Sequence, residues 1–162
     1  MILGMTTSTY TLVHVVLSLT GIGAGFVVMY RLLTRKRLNG WTTLFLASTV
    51  ATSVTGFGFP VDRLLPSHIV GIISLVMLVG AIVAYYVYQL AGAWRRVYVV
   101  CAAVALYLNV FVGIVQAFQK ISALEALAPT QSEAPFLLTQ LVVLSLFIAL
   151  AIVATIKFRD IK

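Results

Sequence analysis

The chain has 162 residues, 62% of them hydrophobic and 9% charged, with a formal net charge of +7 at pH 7 and a mean hydropathy of +1.10. A soluble domain carries about 25% charged residues, so the apolar excess requires lipid and excludes an ordinary water-soluble globule. The positive charge would point to nucleic acid in a soluble protein, but here it is interleaved with long apolar stretches, which excludes nucleic acid and assigns the charge to topology and lipid headgroups.

In chain order, the first thirteen residues hold no Lys or Arg, so the positive n-region of a cleavable signal peptide is missing. The first apolar stretch, about 10–30, is long enough for a permanent span. A basic turn with Arg31, Arg35, Lys36 and Arg37 follows. The second span covers about 41–59 and stops at Pro60; the third follows Pro66 and covers about 68–91. Arg95 and Arg96 precede the fourth, about 97–118. The segment 119–134 is the longest connection. Its Ile121, Leu124 and Leu127, ahead of Pro129, predict an amphipathic helical turn lying on the membrane interface. The fifth span follows Pro135, covers about 136–156, and leads to Lys157, Arg159 and Lys162.

In lipid each segment must satisfy its own backbone groups, so these spans are helices. The expected fold is an all-α membrane protein, a bundle of five transmembrane helices forming one domain over 1–162. No internal repeat is seen, which counts against an inverted-repeat transporter. Nine of the eleven Lys and Arg residues fall in the three clusters; Arg63 and Lys120 lie elsewhere. Basic loops stay cytoplasmic, so the N-terminus is expected outside and the C-terminus in the cytoplasm.

None of the five predicted spans contains Asp, Glu, Lys or Arg. That excludes a retinal Schiff base, an intramembrane carboxylate relay and a voltage sensor. The polar residues that remain are neutral and gather toward the outer half. His14 lies a turn inside the first helix and His68 opens the third. Asn109 and Gln116, seven residues apart, share a face of the fourth. We expect His14, His68 and Gln116 to line one outward-opening cavity, with Gln140 at its rim. Asn109 should face the interior and bond a neighbouring helix or a ligand such as a quinone carbonyl. Two histidines on different helices can clamp a b-type haem or hold a metal, and Glu133 could complete a metal set. The simpler alternative is helix packing: Gly21, Gly23 and Gly25 allow close helix approach, and an interfacial histidine needs only a hydrogen bond.

The hydroxyls of Thr52, Ser53 and Thr55 can bond back to their own helix. Tyr85, Tyr86, Tyr88, Trp94, Trp41 and Tyr98 are expected in an inner aromatic belt and Tyr10 in an outer one. The lone Cys101 reads as a small apolar residue.

Residues 65–75, Leu-Pro-Ser-His-Ile-Val-Gly-Ile-Ile-Ser-Leu, resemble the start of the third helix in an uncharacterised family of small bacterial membrane proteins. Similar too are a histidine opening the first helix, a basic turn, a second helix ending in Gly and Pro, and an Arg-Arg turn, over about residues 10–118. Asn39 and Arg95 stand in the regions where that family carries histidines in its cytoplasmic turns. The resemblance implies the architecture and a bacterial cytoplasmic membrane, but no reaction. The expected role is a non-catalytic accessory or ligand-binding protein, within a larger membrane complex or a homo-oligomer. The alternatives are a small b-type cytochrome or quinone-linked carrier using His14 and His68, and a transporter or channel subunit.

Overall fold

A computed structural model describes residues 4–38, 40–59 and 66–158. Its regular elements are all helices. Helix α1 (Thr7–Leu33) opens where Thr6, in extended backbone, accepts the Thr9 N–H on its hydroxyl at 3.2 Å. It closes where the Thr34 N–H and hydroxyl both donate to the Tyr30 carbonyl, at 3.0 and 2.8 Å. Helices α2 (Gly40–Gly56), α3 (Pro66–Ile82), α4 (Trp94–Lys120), a single turn α5 (Ser122–Glu125) and α6 (Ala134–Lys157) follow.

Two helix ends differ from expectation. The second helix stops at Gly56, not 59, in tight turns that return the Phe57 and Gly58 N–H groups to Val54 and Thr55. The third does not continue regularly to 91. Beyond Ile82 it widens into a π-helical turn, Val83–Val87, so that the Tyr88 and Leu90 N–H groups reach back to the Val83 and Ala84 carbonyls. Gln89, Leu90 and Gly92 then take left-handed backbone (φ 45°, 59° and 51°). This costly reversal is clamped by the Tyr88–Trp94 stack, 3.9 Å between centroids, and by the Arg95 side chain, which donates to the Leu90 carbonyl at 3.1 Å.

Helix α4 is the hub: it touches α1, α2, α3, α5 and α6. Its buried Ala102, Ala103 and Ala105 let neighbours approach closely. At Gly25 of α1, an added Cβ would lie 2.5 Å from Leu106 Cδ1 of α4 and 3.0 Å from the Phe45 ring of α2. The main core runs from Ala24, Val28 and Leu32 through Phe45, Leu78, Tyr98 and Leu106. A smaller cluster of Phe118, Ala128 and Phe136 pins the 121–133 segment to α4 and α6. Two aromatic expectations are corrected here. Tyr98 is fully buried in the core, not in a belt, because its ring packs on Tyr85. Tyr10 is buried as well, because its hydroxyl donates to the Thr55 carbonyl at 2.8 Å and its ring meets Phe59 edge-on. Trp41, Tyr86 and Tyr88 are exposed.

The ends of the bundle are chemically distinct. Arg35, Arg37, Leu38, Leu90, Arg95 and Phe158 gather at one end; His14, Gly56, Phe57 and His68 meet toward the other. Helix α2 therefore carries the chain back from the basic end to the histidine end. The outer surface is apolar: Leu19, Ile69, Val76, Val79, Leu138, Leu146 and Ile156 are all more than half exposed. In α6 only 17% of the most apolar stretch is buried. Such a surface is incompatible with water as the solvent. Four helical stretches, Thr7–Leu33, Pro66–Val87, Trp94–Lys120 and Ala134–Lys157, are long and apolar enough to cross a membrane. The chain is thus an integral membrane protein; α2, with 17 residues, is not among these four stretches.

The packing at Gly25 is directly testable. Gly25→Ala should lower stability by about 1–3 kcal/mol, the usual cost of overpacking. Gly23→Ala, whose added methyl meets nothing, should be neutral or slightly stabilising. Thermal unfolding in detergent measures both; an unchanged Gly25→Ala variant would contradict the close approach.

Candidate functional site

Four helices line a half-open cavity of about 90 Å³, with several polar side chains in its wall, toward the histidine end. Helix α1 supplies His14 and Ser18, α2 supplies Thr49, Thr52 and Ser53, α3 supplies His68 and Ser74, and α4 supplies Asn109 and Val112. Among the described residues, the lining contains no Asp, Glu, Lys or Arg.

Hydrogen bonding orients the histidine of α1. The Thr55 hydroxyl has one proton, which it donates to the Ala51 carbonyl at 2.7 Å, as threonines in helices do. It must then accept from His14, whose Nδ1 lies 2.8 Å away. That arrangement assigns His14 the Nδ1–H tautomer, with a lone pair on Nε2. The Phe59 ring meets the imidazole edge-on at 5.3 Å. His68, in the first turn of α3, is buried and lies against Phe57, 5.4 Å between rings.

Ser18 donates to Asn109 Oδ1 at 2.8 Å, and Asn109 Nδ2 returns to the Ser18 carbonyl at 3.4 Å. The amide thereby joins α4 to α1. This works because Gly21, one turn on, has no side chain: a Cβ there would lie 3.0 Å from Asn109 Nδ2 and 2.9 Å from Thr49 Oγ1.

Thr49 differs from its neighbours. Thr52 and Thr55 donate to carbonyls four residues back. The carbonyl four residues before Thr49 belongs to Phe45, and Ser48 uses it as well as that of Leu44. Thr49 is 1% exposed and its hydroxyl has no hydrogen-bond partner, although it lines the cavity. Such a buried hydroxyl costs free energy unless something in the cavity bonds it.

The remaining expected residues lie elsewhere. Gln116 is exposed and bonds Gln119 at 3.4 Å; the lining of the cavity on α4 stops at Val112, a turn below it. Gln140 is buried, and its amide donates to the Phe111 carbonyl at 3.3 Å, tying α6 to α4 outside the cavity. Glu133 accepts from the Thr130 hydroxyl and N–H and from the Ser132 N–H, folding the approach to α6. Desolvation raises its pKa, but these hydrogen bonds outweigh that and leave the carboxyl below the usual range. Among the described residues no group of three His, Cys, Asp or Glu could hold a metal. Glu133 does not complete one, because its oxygens are engaged locally. The cavity does not fit a haem or a quinone ring either: at ~30 Å³ per water its volume is that of about three waters. Cofactor-sized pockets begin near ~300 Å³.

Thr49 and Ser74 were not singled out in the sequence. The signal was present on α2, where Thr49, Thr52, Ser53 and Gly56 recur at helical spacing and make one polar stripe.

Two substitutions separate bonded from unbonded polarity. Ser18→Ala removes the donor to Asn109 and should destabilise by about 1 kcal/mol. Thr49→Val removes only an unpartnered hydroxyl and should be neutral or stabilising. Equal losses in thermal unfolding would show that Thr49 bonds within the protein.

No protein-family model, no curated protein and no solved structure matches the chain.

Proposed function

We propose that the chain is a non-catalytic accessory or ligand-binding membrane protein that holds a small uncharged hydrogen-bonding group in the His14–Thr49 cavity. The observation that carries this reading is the unpartnered Thr49 hydroxyl in the same cavity as a histidine whose tautomer leaves Nε2 as an acceptor. A group with an O–H or N–H donor or an acceptor, such as a hydroxyl, an amide or ordered water, suits the Thr49 hydroxyl, and a second such group in the same cavity suits His14. An ion suits the cavity less: the described lining has no opposite charge, and desolvating an unpaired charge is prohibitive. A haem-binding cytochrome lacks a comparable supporting observation, since the cavity is several times too small.

In this reading α2 is the fifth span. Its 17 residues rise about 25 Å, near the lower limit for crossing, and it links two ends that the other helices also reach. The basic end faces the bacterial cytoplasm by the positive-inside rule, so the N-terminus and the cavity face outward. With little mass outside the helices, the protein acts within a larger membrane complex or a homo-oligomer.

Native mass spectrometry of protein released from detergent tests the binding reading. The wild type should retain a small-molecule or water adduct that a His14→Leu/Thr49→Val double variant loses while keeping its thermal stability. No adduct, or one that survives the double substitution, would sink the proposal. Orientation is tested separately in a Cys101→Ala background. A membrane-impermeant maleimide applied to intact cells should label Ser132→Cys and not Leu38→Cys; the reverse pattern would invert the topology.

A further inference from the structure

At the basic end, a second cavity of about 410 Å³ is lined by Arg35, Arg95 and Arg96, with Gly92, Thr155 and Phe158 completing its wall. These arginines come from two separate turns. Arg35 follows α1 in left-handed backbone (φ 56°). Arg95 and Arg96 lie in the first turn of α4, behind the left-handed reversal at Gln89–Gly92. Other cations at this end are engaged differently: Arg31 donates twice to the Arg37 carbonyl, at 2.9 and 2.6 Å, and Lys36 lies over the Tyr30 ring.

Topology alone requires basic residues on this side, but not their convergence. Three guanidinium groups around one cavity repel one another, and the α4 N-terminus adds the positive end of its dipole. Of the four acids, Glu125 and Glu133 belong to the segment after α4, at the opposite end, and Asp62 lies between α2 and α3. Only Asp160 follows the basic end in sequence. Asp160 lies outside the described residues, so among the described residues no acid stands at this end. Guanidinium forks match phosphate oxygens two at a time. Beside the arginines, Val100 and Ile156 are 46% and 59% exposed, so the charged cavity adjoins the surface that faces acyl chains.

We infer that Arg35, Arg95 and Arg96 form a binding site for a phosphate-bearing anion, supplied by a lipid headgroup or by a soluble phosphate ester. Basic pockets between helices on the cytoplasmic side suit anionic headgroups on general grounds. The site is independent of the histidine-end cavity and of any ligand there.

The test uses the full chain in an uncharged detergent. Binding is measured with micelles containing phosphatidylglycerol or phosphatidylcholine, with and without inorganic phosphate. The wild type should prefer phosphatidylglycerol, and an Arg35→Gln/Arg96→Gln variant should bind it about tenfold more weakly. A charge-matched Lys36→Gln/Lys157→Gln variant, altered at the same end outside the cavity, should lose less than about twofold. Both pairs are exposed, and circular dichroism checks that each folds. Displacement by inorganic phosphate supports the site with a soluble phosphate as its source. Preference for phosphatidylglycerol without displacement supports a lipid source. Equal loss in the two double variants means diffuse attraction to a basic surface and overturns the site, as does binding of neither phosphatidylglycerol nor phosphate.

Discussion

At Gly25 the backbone of α1 comes so near Leu106 of α4 and Phe45 of α2 that no Cβ fits between them, and the rest of the bundle is arranged around that approach. Between helices in lipid there is little hydrophobic driving force, because acyl chains solvate leucine as well as another helix does. Association must come from contact at short range. Gly21 and Gly25 on α1 and the alanines on α4 supply it. The same closeness brings Ser18 within 2.8 Å of Asn109 and sets Thr49 opposite Gly21. The polar cavity is therefore a consequence of the packing seam, one helical turn away from it.

Polar groups in these helices mostly consume their own hydrogen-bonding capacity. Thr11, Thr20, Thr52, Thr55, Ser145 and Thr155 each donate to a carbonyl one turn back. This neutralises a hydroxyl without any ligand. Against that background the few unsatisfied atoms are informative. Thr49 Oγ1 sits in the cavity. Thr42 Oγ1 and Tyr98 Oη are buried against each other nearer the basic end, and the Gln140 carbonyl oxygen is left over after its amide bonds α4. Of these, only the first lines a cavity together with a histidine.

The two ends divide their chemistry cleanly. The cavity at the histidine end is small and, among the described residues, lined by uncharged groups, suited to hydrogen bonds with uncharged partners. The basic end is open and cationic, and its two reversals use left-handed backbone at Arg35, Gln89, Leu90 and Gly92. Strain of this kind persists only where surrounding contacts over-determine it. Here the Tyr88–Trp94 stack and the Arg95–Leu90 hydrogen bond do so, and they fix where the arginines of α4 emerge.

Much of this was legible from residue order. Apolar runs of about 20 residues, separated by Pro and by basic clusters, determine helices because lipid leaves the backbone no alternative. His14, His68 and Asn109 could be marked from their isolation among apolar neighbours. Helix rotation and helix height could not be read in the same way. Asn109 and Gln116 share a nominal face, yet only Asn109 lines the cavity, since the bundle closes at Val112. Tyr10 and Tyr98 have belt composition, but contacts with Thr55 and Tyr85 bury them. The third helix looked continuous to 91 because no proline or glycine stands between Gly80 and Gly92; the π turn at Val83–Val87 comes just before the chain reverses into α4. Sequence by itself determined that the chain enters lipid, where it is charged and which neutral polar groups it carries inside. Tertiary structure alone decided which of those groups meet, because that depends on how closely the helices approach at Gly21 and Gly25, a distance that no periodicity encodes.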